Sequence, residues 1–200
     1  MTIVAVTQRV DLLPQRQERR DALDQRLCAW LASAGCVPVP VPNSLGTDSV
    51  HDDLAGWLKA VAPGAVVLSG GNDPGAMPER DRTERQLLDW ASASRLPALG
   101  ICRGMQMMAL WAGGALKRVA GHVRTRHRLA GEINGTVNSF HDLAIDGCPN
   151  GFMPTARAED GEIEAMRHAT LPWEAWMWHP EREAPFDARD TARLKKLLGG

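Results

Sequence analysis

Tyrosine is absent from the 200-residue chain, and no functional reading follows from that. No apolar run approaches the ~20 residues of a membrane span, so no membrane partner is expected. The four cysteines, Cys28, Cys36, Cys102 and Cys148, include no Cys-x-x-Cys pair. That spacing excludes a disulfide framework and a cysteine zinc site and reads as reduced thiols in a cytoplasmic protein. The chain also lacks a signal-peptide layout, because it enters the apolar stretch Ile3–Val6 directly. Charge of one sign is missing overall: the formal net charge is −1, which argues against nucleic acid as the main partner. It is also missing locally. Between Asp89 and Glu132 no acidic residue occurs, while Arg95, Arg103, Lys117, Arg118, Arg124, Arg126 and Arg128 do. Repeats, low-complexity tracts and linkers are absent, and residues 1–200 are read as one domain with a single filled core.

The first half alternates short apolar runs with amphipathic stretches. Ile3–Val6 is expected to form a strand, followed by a helix from about Gln15 to Ala34 that Gly35 caps. Val37–Val41 follows as an edge strand, marked by its prolines. A helix around Val50–Val61, the buried strand Ala65–Leu68, a helix from about Asp81 to Ser94, the strand Ala98–Ile101 and a helix over Arg103–Trp111 complete a βαβα rhythm. That rhythm predicts a parallel sheet with helices on both faces. From Ala115 to Ile163 the segments are short and alternating, including Gly135–Phe140 and His141–Ile145, and predict antiparallel strands. Trp176-Met177-Trp178 reads as a late strand returning to the sheet, and Asp187–Leu198 as a terminal helix.

Three motifs carry chemistry. In Gly100-Ile101-Cys102-Arg103-Gly104 a cysteine stands between a buried strand and a helix, on a turn that the flanking glycines permit. The positive end of the helix favours thiolate there. In His179-Pro180-Glu181 a histidine at a strand end can face that cysteine along the carboxyl edge of the sheet, with Glu181 orienting it. In Ser69-Gly70-Gly71-Asn72-Asp73-Pro74 glycines let backbone N–H groups turn toward an oxyanion.

Together these motifs resemble the class I glutamine amidotransferases. Within them the chain is most similar to the free-standing γ-glutamyl-γ-aminobutyrate hydrolase-like branch, of the C26 peptidase type. The Cys-Arg-Gly elbow, Asn138-Ser139-Phe140-His141 and Asp160-Gly161-Glu162-Ile163-Glu164-Ala165 carry that part of the likeness. The resemblance implies a flavodoxin-like α/β fold, with a mostly parallel central sheet and an antiparallel extension in the second half. It implies a cysteine amidohydrolase that needs no cofactor or metal. Cys102 attacks a γ-glutamyl amide, His179 moves protons, Glu181 orients His179, and the N–H groups of Arg103 and of Gly70 or Gly71 hold the oxyanion. Gln106, Asn138, Ser139, Phe140 and His141 would hold the glutamyl end. Trp176-Met177-Trp178 departs from the family's commoner Gly-Val-Gln-Trp.

The run Gly121-His122-Val123-Arg124-Thr125-Arg126-His127, with Thr7-Gln8-Arg9, also resembles hydrolases of capsule-modification clusters that release a nucleotide diphosphoramidate. Two readings of the basic run stand: a solvated hairpin paired with acids of the second half, or an anion site for the amine side of the substrate through Arg124 and Arg126. Alternatives for function are a glutaminase subunit feeding ammonia to a partner synthase, and a silent binding module. The oligomeric state is left open. Trp30, Trp57, Trp90 and Trp111 are expected in the core, and His51 and His168 in solvent. No acid or cysteine near His122 and His127 in the sequence completes a ligand set, so no metal site is expected.

Overall fold

The computed structural model describes residues 1–46 and 53–199. In chain order the strands and helices are β1 (Thr2–Val6), β2 (Arg9–Leu13), β3 (Glu18–Ala22), α1 (Gln25–Ser33), β4 (Cys36–Pro40), α2 (Asp53–Val61), β5 (Ala65–Leu68), α3 (Pro78–Ala93), β6 (Ala98–Ile101), α4 (Arg103–Trp111), β7 (Ala115–Arg118), β8 (Val123–Gly131), β9 (Gly135–Phe140), β10 (Leu143–Asp146), β11 (Phe152–Arg157), β12 (Ile163–His168), β13 (Trp173–Trp176) and α5 (Ala188–Leu197). A nine-stranded sheet runs β4-β1-β5-β6-β13-β12-β11-β8-β9. Its first five strands are parallel to their neighbours, and the remainder pair antiparallel.

The sheet is covered on both faces because β5 and β6, near its middle, are apolar at every position. β5 and β6 are wholly buried. Alternation splits their side chains between two cores. Ala5, Val66 and Leu68 join Leu54, Leu58, Leu87 and Met105 under α2, α3 and α4. Val4, Val6, Ala65 and Val67 join Leu27, Trp30 and Leu194 under α1 and α5. The proline-bearing β4 lies at the sheet edge, as its sequence requires. Trp30 is fully buried, while Trp57, Trp90 and Trp111 pack at the margin of the first core. No helix among the described residues is long and apolar enough to cross a membrane.

Three expectations need correction. The stretch from Gln15 to Ala34 is not one helix: β2 and β3 form a hairpin, and α1 begins only at Gln25, capped by the Asp24 carboxylate. Helical propensity over Gln15–Arg20 loses to tertiary contacts. Val10 is buried, and the Asn72 side chain accepts from its N–H at 2.7 Å and donates to its carbonyl at 3.0 Å. On the second strand of the hairpin, Asp21 accepts from Asn43. The strand placed at Trp176–Trp178 is Trp173–Trp176, and the chain then leaves the sheet toward His179. His168 is half-buried, not solvated: its ring meets Phe152 and Trp173 and its Nδ1 accepts from the Thr170 and Leu171 N–H groups. His51 and the start of the Val50–Val61 helix lie outside the described residues.

Candidate active site

Parallel strands end on one side, so β1, β5, β6 and β13 deliver Thr7, Ser69, Cys102 and the Met177–His179 segment to a common edge. Side chains lock these ends together. The Ser69 N–H donates to Thr7 Oγ1 at 3.0 Å and the Ser69 hydroxyl donates to the Thr7 carbonyl at 2.7 Å. The Cys102 N–H donates to the Trp176 carbonyl at 2.8 Å.

Cys102 occupies φ 51°, ψ −105°, a strained conformation for a residue with a Cβ. Its neighbours explain the glycines on either side. A Cβ on Gly104 would stand 2.2 Å from the Leu68 carbonyl oxygen, and one on Gly100 2.7 Å from the Gly104 backbone. The elbow therefore presses α4 directly onto the end of β5. The first N–H groups of α4, from Arg103 onward, lack intrahelical acceptors by helix geometry.

The structure brings Cys102, His179 and Glu181 together. The His179 ring is close enough to Cys102 for the two groups to interact electrostatically, and its Nδ1 lies 2.6 Å from Glu181 Oε1. All three side chains are buried. Burial works to lower the imidazole pKa, but its interactions with Cys102 and with the Glu181 carboxylate outweigh that and push the value up to about 9. His179 thus carries its proton at neutral pH. Because the folded value lies above the ordinary 6.5, this contribution to stability is fully present below pH 6.5 and is lost as pH rises through about 9. Imidazole NMR across pH is expected to place the midpoint near 9, and lower in Glu181→Gln. An unmoved midpoint in that variant would remove Glu181 as a cause.

Asn138 fixes the histidine backbone, accepting from the His179 N–H at 2.9 Å and donating to its carbonyl at 2.8 Å. Phe140 packs edge-on against the imidazole at 5.9 Å. Ser139 and His141 point elsewhere, Ser139 to the His122 carbonyl and His141 to the Leu143 carbonyl. Gln106 is buried and also donates to the Leu143 carbonyl, at 3.0 Å.

Gly70 stands against the histidine so closely that a Cβ there would lie 2.7 Å from His179 Cε1. What holds this loop is a residue the sequence did not single out. Arg80 is fully buried and donates to three successive carbonyls, Ser69 at 2.7 Å, Gly70 at 3.0 Å, and Gly71. A planar trans peptide points its N–H opposite its C=O, so this grip turns the Gly70 and Gly71 N–H groups away from Arg80. Glu84 binds Arg80 on one side and the Arg103 guanidinium on the other, while Asp81 also pairs with Arg103. Burial would raise the Glu84 pKa, but the two guanidiniums hold it below the usual carboxylate range. The glycine loop and the cysteine elbow are thereby joined through one buried ion network. Only the role of the Arg103 N–H was read from the sequence; nothing local announces these long-range partners.

A small cleft of about 60 Å³ opens beside Gly70, Gly71 and His179, with Arg9 and Arg182 at its rim. A larger cavity of about 600 Å³ lies between β9 and α5 and is lined by Arg126, Arg189, Arg193, Glu183 and Asp190. In the basic run, Lys117 pairs with Glu162, Arg118 with Asp142 and Arg126 with Glu183, all acids of the second half. Arg124 is exposed. The expectation that no acid accompanies His122 and His127 is overturned: folding brings Glu164 and His141 to them.

The glutamine amidotransferase class-I family model matches residues 20–190, and the chain belongs to that family. A γ-glutamyl-CDP-amidate hydrolase of Campylobacter jejuni is 34% identical over 125 residues, 60% of this chain and 62% of that protein. The aligned part is thus just under two thirds of that relative. A glutamine-hydrolysing GMP synthase subunit of Methanosarcina barkeri is 35% identical over 151 residues, 70% of this chain and 72% of that one. The crystal structure of a glutamine amidotransferase from Thermotoga maritima shares the fold, with a TM-score of 0.66 over 99% of this chain and 84% of that one at 17% identity.

Proposed function

We propose that this protein hydrolyses the side-chain amide of a γ-glutamyl compound, releasing glutamate and an amine. The observation that carries the reading is the buried Cys102–His179–Glu181 set, with His179 Nδ1 2.6 Å from Glu181 Oε1 and Cys102 on a strained elbow. The Cys102 thiolate adds to the amide carbonyl, and the oxyanion takes hydrogen bonds from the Arg103 N–H and from Gly70 or Gly71. As the C–N bond breaks, His179 gives its proton to the departing amine, leaving a glutamyl thioester. Water then attacks, losing a proton to His179; the thioester bond breaks, glutamate leaves and the thiolate–imidazolium pair returns. Glu181 holds the imidazole tautomer throughout.

The amine side is proposed to be phosphorylated, as in a nucleotide diphosphoramidate of a capsule or other cell-surface precursor. Support comes from the Campylobacter relative and from Arg9 and Arg182 at the rim of the cleft. Arg126 adds a link, since its partner Glu183 also accepts from Asn138, which holds His179. Cytidine-diphosphoramidyl glutamine is therefore expected to exceed glutamine and γ-glutamyl-γ-aminobutyrate in kcat/KM. Arg124→Ala and Arg126→Ala should raise KM for the phosphorylated substrate alone, each lost charge-assisted bond costing roughly 1.5–3 kcal/mol. Preference for uncharged or carboxylate-bearing amines, with silent arginine variants, would end this part of the reading. The Methanosarcina relative favours a second one, a glutaminase that waits for a synthase. Steady turnover by the isolated chain decides against it.

A further inference from the structure

Beyond the cysteine site, the structure assigns a second site: His122, His127, His141 and Glu164 form a binding site for one divalent transition-metal ion, best matched by Zn²⁺. The four donor atoms lie within 4.8 Å of one another. Three of them are closer still, with Glu164 Oε1 3.2 Å from His122 Nδ1 and 3.3 Å from His141 Nε2, and those two nitrogens 3.2 Å apart. A tetrahedral zinc with bonds near 2.0–2.1 Å has ligand–ligand edges of about 3.3–3.4 Å.

The proton inventory makes the case. His141 Nδ1 lies 3.0 Å from the Leu143 carbonyl, which can only accept, so that nitrogen carries a hydrogen. His122 Nε2 lies 2.7 Å from Asp160 Oδ2, which fixes the hydrogen there. In the neutral rings, His122 Nδ1 and His141 Nε2 are therefore lone pairs pointing at one another. A carboxylate that is 0% exposed stands beside both. Neither oxygen of Glu164 has a hydrogen-bond partner among the described residues, and the buried His127 Nε2 has none either. Acceptors converging without a donor, in a buried place, are unfavourable unless a cation sits among them. The Asp160–His122 pair and the Leu143 carbonyl on His141 are the outer partners that metal-bound imidazoles ordinarily have. Three imidazoles and one carboxylate fill a tetrahedron, which is the closed form of a structural site. Such an ion would join the ends of β8 and β9 to β12. From there the path to the candidate active site is short: the Glu164 carbonyl accepts from the Met177 N–H at 2.7 Å, and the Leu143 carbonyl holds Gln106 as well as His141.

The test uses the full chain carrying Cys102→Ala, so that no thiolate at the cysteine site competes for metal. After removal of metal by a chelator, Zn²⁺ should bind at a single equivalent in competition with a chromophoric chelator. Co²⁺ should give the intense visible bands of tetrahedral nitrogen–oxygen ligation, without a thiolate charge-transfer band. Zn²⁺ should raise Tm by roughly 5 °C or more. His127→Ala should abolish tight binding. Asp160→Asn, a change at a half-exposed side chain that leaves the four ligands intact, should weaken it roughly 10- to 100-fold. A folded protein that takes up no Zn²⁺ and no Co²⁺ would overturn the site in favour of a shared proton. So would binding that neither variant alters.

Discussion

Replacing Cys102 with alanine is expected to lower kcat for γ-glutamyl amide hydrolysis by roughly four to six orders of magnitude, with Tm within about 3 °C of the parent. In the proposed mechanism this side chain supplies the bond-forming atom, so no residual geometry would substitute for it. Its contribution to packing is modest, since it is a short side chain at the strand end that joins the second core only there. Serine should be nearly as inactive, because a hydroxyl ionises far less readily than a thiol. Mass spectrometry of a quenched reaction supplies the positive arm: a glutamyl adduct on Cys102 and none on Cys28, Cys36 or Cys148. Parental rates in the alanine variant, or an adduct on another cysteine, would refute the assignment.

The second large effect is expected far from any reacting atom. Arg80→Met should destabilise the protein by about 3–5 kcal/mol, because it leaves Glu84 buried with one cationic partner fewer and strips three carbonyls of their donor. For a chain of this size that is a fall in Tm of roughly 6–20 °C. Below the transition, kcat should fall by about 10²–10³ as the glycine loop loses its orientation, the size of effect seen when an oxyanion donor is lost. Glutamate binding to the folded variant should change much less. A variant with normal kcat would show that the loop keeps its conformation unaided and that Arg80 serves stability alone.

Elements and groupings that the sequence reading and the structure share have one property in common: their signal is local. β5, β6 and α4 were legible because unbroken apolar runs end at glycine or at a helix start. The Cys102, His179 and Glu181 set was legible because each member sits in a short motif at a strand end, and parallel topology brings such ends together. What was missed is held by partners distant in sequence. The β2–β3 hairpin depends on Asn72 gripping Val10 from 62 residues away. Arg80 binds backbone carbonyls, which no side-chain pattern records. The His122 and His127 pair lacked further ligands in the sequence reading because their neighbours in space, His141 and Glu164, come from a later strand connection and from β12.

The left-handed backbone at Cys102 sets the molecule's durability against its chemistry. A conformation of this kind costs about 1–3 kcal/mol for a side-chain-bearing residue and almost nothing for glycine, whose greater freedom when unfolded takes back roughly 0.5–1 kcal/mol. A chain with glycine at position 102 would hold the same elbow with less strain and melt no earlier than the parent, yet it would have no sulfur. Thermal selection by itself would thus erode this position, and under the proposed mechanism selection for turnover is what would keep cysteine there. Hardening this protein for use at high temperature must therefore draw its stability from elsewhere, such as the exposed edge of β4 or the surface of α5.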